Sequence, residues 1–216
     1  KRPSDEAISP GKLLTLLFMR VLGVTGKIGA GKSTVCAIME RLGAYVTDAD
    51  IVVDALYEPG KSGALKIRHF FGEDFLLKNG AVNKRKLRAA VFHDEKKLRI
   101  LETMIHPLVA HEIKKEIDRR RGRGIFVIEA MEFAPHGLGR LIDELVLVTC
   151  PEVILKKRLK NRELSSRELF GIRQRQKEPA KYDWKIENDG GLEELEEKVN
   201  VIARTPAGRQ ALRAWQ

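Results

Sequence analysis

The sequence predicts an α/β fold with a parallel sheet covered by helices on both faces, and three observations carry that expectation. Short apolar runs alternate with helical patterns along the chain, which favours parallel strands joined by helical crossovers. The stretch VTGKIGAGKST, Val24 to Thr34, lies between an apolar run and a helical pattern, the setting of a strand–loop–helix unit. One helical region, between the second and third apolar runs, is too long for a plain crossover and reads as an added lobe.

The elements follow in order. RVLGV, Arg20 to Val24, is bounded by glycine and reads as a buried first strand; VCAIMERL, Val35 to Leu42, has helical apolar spacing. AYVTDAD, Ala44 to Asp50, reads as a short second strand ending in two acids. A helical region then runs from Ile51 to about Asp118, punctuated by EPGKSG (Glu58 to Gly63), FGED (Phe71 to Asp74) and KNGAVN (Lys78 to Asn83). GIFVIEA, Gly124 to Ala130, and DELVLVTC, Asp143 to Cys150, are the third and fourth strands. A charged helical stretch, Glu152 to Pro179, precedes a short fifth strand, WKIEN, Trp184 to Asn188. The last helix, LEELEEKVNVIA from Leu192 to Ala203, sets Leu192, Leu195, Val199 and Ile202 along one face. Met19-Arg20 directly precedes the first strand, so residues 1–18 read as an extension, and residues 204–216 as a tail.

The glycine-rich stretch fits G-x-x-x-x-G-K-[ST], with Gly26, Gly31, Lys32 and Ser33 at the diagnostic positions. Glycines let backbone N–H groups turn toward a phosphate without a clashing Cβ, and the following helix points its positive end at the anion. Lys32 is then the cation for the β- and γ-phosphates and Ser33 the Mg²⁺ ligand. Gly26, Lys27, Ile28, Gly29, Ala30, Gly31, Lys32, Ser33 and Thr34 are therefore the expected nucleotide-binding residues. The plain alternative is a glycine-rich turn that binds nothing. On a parallel sheet, ligands bind beyond the carboxyl ends of the strands. That expectation sets Gly26, Asp48, Asp50 and Glu129 on one rim. For Asp48 and Asp50 the competing reading is helix N-capping; for Glu129, an acid that could hold Mg²⁺ through water, it is a structural role.

Composition narrows the class. The 216 residues carry 40 Lys+Arg and 30 Asp+Glu, a net charge of +10 that attracts polyanions of any kind. NKRKLR (Asn83 to Arg88) and DRRRGRG (Asp118 to Gly124) read as solvated faces, without the interleaved aromatics that stack on bases. Cys36 and Cys150 have no CxxC spacing, so reduced thiols in a cytosolic protein are expected. The five histidines match no metal-binding spacing, which leaves Mg²⁺ brought with the nucleotide as the expected metal. LLTLLFM, Leu13 to Met19, falls short of the ~20 residues that span a bilayer. Asp5 and Glu6 precede it and no small-residue cleavage site follows, unlike a signal peptide, so the expected location is cytoplasmic. No N-K-x-D tetrapeptide marks a guanine site, and the chain lacks the further motifs of a motor. A small-molecule kinase remains, with Arg158, Arg162, Arg167, Arg173 and Arg175 forming a basic segment able to close over phosphates.

In these features the chain resembles the dephospho-CoA kinases, which perform the last step of coenzyme A synthesis. The resemblance rests on the phosphate loop, Asp48-Ala49-Asp50, LYEPG, the NG.VN segment, His106-Pro107, RL..R at Arg158, Leu159 and Arg162, and D..I.N.G at Asp183, Ile186, Asn188 and Gly190. It covers about Arg20 to Ile202. It implies a P-loop, nucleotide-kinase-like core of five parallel strands (about 19–50 and 124–203), a helical CoA-binding lobe (about 51–123) and a lid (about 158–180). The implied reaction is ATP-dependent phosphorylation of the ribose 3′-hydroxyl of dephospho-CoA with Mg²⁺. Asp50 is the implied base, aided by Lys32 and Arg162; Arg158 and Asn188 join the nucleotide site; Asp48, Lys84 and His106 join Asp50 on the acceptor side. For His106-Pro107 the plain reading is a helix start. Departures from the pattern are AMEFAP at Ala130 to Pro135, Asp54 where a basic residue is common, Lys84 where arginine is expected, and a short segment between Gln176 and Asp183. They bear on acceptor contacts more than on ATP. The implied protein is a monomer or weak oligomer, with no membrane or nucleic-acid partner expected. The alternatives are another P-loop small-molecule or nucleotide kinase, and a nucleic-acid-binding ATPase-like module.

Overall fold

β1, Met19–Thr25, is apolar on both faces, with Val21, Leu22 and Val24 buried, as a strand with neighbours on either side must be. The computed structural model describes residues 19–92, 94–120, 122, 124–133, 137–160 and 178–205. The other strands are β2 (Tyr45–Asp48), β3 (Gly124–Glu129), β4 (Glu144–Thr149) and β5 (Trp184–Glu187), and the sheet order is β2-β3-β1-β4-β5. β1 pairs in parallel with β3, setting Val24 against Glu129, and with β4, setting Thr25 against Leu147. β4 pairs in parallel with β5, setting Thr149 against Glu187. The expected five-stranded parallel sheet is therefore present, with the strand that feeds the glycine loop at its centre.

The helices among the described residues are α1 (Lys32–Arg41), α2 (Ala49–Leu56), α3 (Ser62–Phe71), α4 (Lys84–Phe92), α5 (Glu95–Arg119), α6 (Glu152–Lys160) and α7 (Leu192–Arg204). The described chain divides into two units. One takes in the stretch up to Val46, Arg120–Met131 and the chain from Ile142; the other takes in Thr47–Arg119 and Glu132–Leu141.

The first unit is built on one apolar cluster that includes Leu22, Val24, Val35, Met39, Val127, Val146, Leu155 and Val199. Burying each such side chain contributes about 1.5–3 kcal/mol of transfer free energy. In α7 the stripe begins at Leu195 and continues through Val199 and Ile202, whereas Leu192, the first residue of the helix, is exposed. At the other end of the sheet Arg20 is buried and paired. Its Nη2 donates to Glu144 at 2.5 Å, and its Nη1 to the carbonyls of Ile202 at 2.9 Å and Thr205 at 2.8 Å. Trp184 Nε1 donates to the same Glu144 carboxylate.

The second unit packs α2 to α5 around Leu56, Tyr57, Ala64, Ile67, Val82, Leu87, Val91, Met104, Val109 and Ile113. Turns start its helices: Asn83 Oδ1 accepts from Lys86 N at 3.0 Å before α4, and Asp94 Oδ1 from Lys97 N at 3.0 Å before α5. That backbone bond, with Lys97 beside it, holds the Asp94 carboxyl below its ordinary pKa.

Two expectations need correction. The second strand stops at Asp48, because the Asp48 side chain accepts from Asp50 N at 2.8 Å and turns the chain into α2, so Asp50 is helical. His106-Pro107 does not start a helix; Pro107 lies inside α5. Proline there removes one backbone bond, while buried Met104, Ile105, Val109 and Ile113 anchor the helix on either side. Residues 161–177 of the expected lid, with Arg162, Arg167, Arg173 and Arg175, lie outside the described residues, as do the extension and the tail from 206.

Candidate active site

The loop after β1 is shaped by backbone that only glycine adopts easily. Gly26, Gly29 and Gly31 have φ of 152°, 83° and 100°. A Cβ on Gly26 would overlap the Val148 carbonyl of β4, and one on Gly31 the Asn188 amide, so two of the three are also excluded from larger side chains by close packing. Ala30 N donates to Lys27 O at 3.0 Å, tightening the turn. Gly31 then serves as N-cap of α1 with no side chain accepting from the first-turn amides and no acid in that turn. An uncapped helix start with its positive dipole end is suited to an anion. Lys32 Nζ lies back on the loop, donating to Gly26 O at 3.1 Å.

At the mouth of this loop the first residues of α1 meet the end of β3. Ser33 Oγ donates to Glu129 Oε1 at 3.0 Å in an exposed position. A hydroxyl and a carboxylate are hard oxygen donors, the set Mg²⁺ prefers when water and phosphate complete its shell. No group of three or more His, Cys, Asp or Glu among the described residues could hold a metal alone.

Behind the loop sit Asn188, just past β5, and Arg158 of α6. Buried Asn188 donates from Nδ2 to Ala30 O at 2.8 Å; Arg158 donates to Asn188 Oδ1 at 3.3 Å and to Ala30 O at 3.4 Å. Arg158 also reaches Cys150 Sγ at 3.5 Å, and burial pushes the Cys150 thiol above its ordinary pKa, so it stays protonated at neutral pH. Cys36 is a buried free thiol.

In the second unit, Asp48 is the N-cap of α2 and Asp50 is exposed in its first turn. Lys84 Nζ pairs with Asp54 at 2.8 Å, both side chains more than half exposed. The two departures at these positions thus answer each other: an acid where a base is common meets the lysine that replaces arginine. His106 is half-buried within α5. Tyr57, at the C-terminal end of α2, has its hydroxyl pKa pushed up to about 12, first by burial and then by the Asp54 charge.

Gly26 to Thr34, Glu129, Arg158 and Asn188 therefore gather in the first unit, and Asp48, Asp50, Lys84 and His106 belong to the second; Arg162 is outside the described residues. Sequence reasoning missed the ion pairs of two lysines, Lys27 of the loop and Lys198 of α7. Lys27 Nζ lies 3.0 Å from Glu178. Lys198 reaches Glu194 at 2.6 Å and Asp189 at 3.2 Å. The i,i+4 spacing of Glu194 and Lys198 was the available signal for the second; nothing local marks the first.

The family model for dephospho-CoA kinase matches residues 20–194. The chain belongs to the dephospho-CoA kinase family. A dephospho-CoA kinase of Aquifex aeolicus is 34% identical over 188 residues, covering 85% of this chain and 96% of the relative. The crystal structure of TT1252 from Thermus thermophilus superposes with a TM-score of 0.71 at 27% identity, covering 85% of this chain and 96% of that one. The APS kinase of Mycobacterium tuberculosis shares the fold alone, with a TM-score of 0.51 at 18% identity over 87% of this chain and 99% of that one. The fold is thus that of a P-loop kinase, and this dephospho-CoA kinase family member is a phosphotransferase. No helix among the described residues is long and apolar enough to cross a membrane.

Proposed function

We propose that the protein transfers the γ-phosphoryl group of ATP to the ribose 3′-hydroxyl of dephospho-CoA, with Mg²⁺ and in the cytoplasm. The observation that carries this reading is the Ser33–Glu129 pair beside a complete phosphate loop, 3.0 Å apart, in a chain of this family. Loop amides from Gly26 to Thr34 hold the β- and γ-phosphates, and Lys32 leaves Gly26 O to balance charge on the transferring group. Ser33 and Glu129 would hold Mg²⁺, Glu129 through water; when bound, the ion would offset negative charge on the phosphates. Arg162 supplies a further cation to that charge.

Asp50 takes the proton of the attacking hydroxyl. Support comes from α2, where the capping role belongs to Asp48 and Asp50 stands exposed in the first turn. Asp48 orients this turn, and Lys84 and His106 belong to the acceptor side. The core (about 19–50 and 124–203) carries the nucleotide, the lobe (about 51–123) the acceptor, and the segment 158–180 the cover. The protein acts as a monomer or weak oligomer on a small molecule, without nucleic acid.

The test is ADP release across a panel of adenosine-containing acceptors. Dephospho-CoA should stimulate release most and gain one phosphate at the 3′ position. Stronger stimulation by another acceptor, or by single- or double-stranded nucleic acid, would refute the assignment.

A further inference from the structure

The Asn188 side chain is buried, only 5% of the residue being exposed, and both ends of its amide are engaged. Nδ2 donates to Ala30 O at 2.8 Å, and Oδ1 accepts from Arg158 at 3.3 Å. The backbone beneath is fixed too, since Asn188 N donates to Thr149 O at 2.8 Å. Lys198 of α7 grips the residues on either side: its Nζ donates to Glu187 O at 2.8 Å and to Asp189 Oδ1 at 3.2 Å, while pairing with Glu194 at 2.6 Å. Glu194 and Asp189 hold the Lys198 ammonium above its ordinary pKa, and Lys198 holds the Asp189 carboxyl below its own, so the grip is charged at neutral pH.

Ala30 O and Gly31 N–H belong to one peptide plane, and in a trans peptide they point in opposite directions. Holding the carbonyl toward Asn188 therefore turns the Gly31 N–H away from it. The contact also depends on glycine at position 31, because a Cβ there would overlap the Asn188 amide. Resting on the reading of Gly26 to Thr34 as the phosphate loop, we infer that Asn188 is a positioning residue. Its amide, seated by Lys198, sets the Ala30–Gly31 peptide and through it the direction in which the loop meets the β- and γ-phosphates, without touching the nucleotide.

The test is calorimetric affinity of the full chain for ATP, ADP, AMP and inorganic tripolyphosphate. Asn188→Asp keeps the shape but turns a carboxylate oxygen toward the Ala30 carbonyl. It should weaken ATP, ADP and tripolyphosphate about tenfold each while AMP changes less than about twofold. Lys198→Ala, at the surface, should show the same preference at about threefold and decides the matter if Asn188→Asp does not fold. Equal losses for AMP and ATP would mean that Asn188 contacts base or ribose, and unchanged ATP affinity in both folded variants would mean a purely structural role; either overturns the inference. A parent protein that binds AMP but not tripolyphosphate would instead overturn the loop reading, and this inference with it.

Discussion

β1 and β2 each turn sharply into a helix, yet the two turns are finished in opposite ways. After β1 the chain uses three glycines at positive φ, starts α1 at Gly31, and leaves its first-turn amides without a side-chain acceptor or an acid within that turn, the Glu129 carboxylate meeting the Ser33 hydroxyl instead. After β2 a single aspartate closes the turn, accepting from Asp50 N, and the first turn of α2 carries an acid. The first start is open to an anion, and the second repels one. A helix start that has satisfied itself and still displays a carboxylate is suited to handling a proton, not a phosphate.

The contrast breaks most easily at Lys32. Lys32→Ala should lower turnover about a thousandfold, since one charge aimed at the transferring group is worth that order, while the thermal midpoint stays within a few degrees. Steady-state ADP release beside a melting curve checks both. Activity within a few-fold of the parent would show that the open helix start does not serve phosphate transfer.

Next in size is Asp50→Asn, expected to slow single-turnover transfer to dephospho-CoA about a hundredfold with ATP affinity kept. Asp48→Asn should stay near the parent, because asparagine caps helices about as well as aspartate. Equal damage from both would erase the difference between capping acid and reacting acid.

The smallest effect lies at the far end of α2. Tyr57 titrates at about 12 instead of 10.0 in the folded chain. A raised pKa gives stability that is complete below pH 10 and is lost as pH climbs from 10 to 12. By pH 11 the parent should have lost about 1 kcal/mol on this account, read as a falling urea midpoint between pH 9 and pH 11. Tyr57→Phe should lack that component; an identical fall in both would remove Tyr57 as its source.

What could be read from the sequence follows the same division. The phosphate loop announces itself because its function is carried by backbone, and backbone at φ of 83° to 152° demands glycine at particular spacings. The strands were readable because β1, β3 and β4 are buried on both faces and so nearly continuously apolar. The end of β2 was misjudged since Asp48 acts through a bond two residues on, which alternation cannot reveal. Pro107 misled because the local cost of proline is outweighed by the burial of Met104, Ile105, Val109 and Ile113 on either side of it in α5. The Asn188–Ala30 and Lys27–Glu178 contacts span more than a hundred residues each. No local pattern encodes them.

The buried guanidinium of Arg20 sets a limit on how the protein can be trimmed. The family match ends at residue 194, but two acceptors of that group are the carbonyls of Ile202 and Thr205. A fragment cut at the end of the match would leave Arg20 with Glu144 but without those two carbonyls, and strip Leu195, Val199 and Ile202 from the core. The smallest portable form of this enzyme is thus decided by a residue at the beginning of its sheet, and it reaches at least to Thr205.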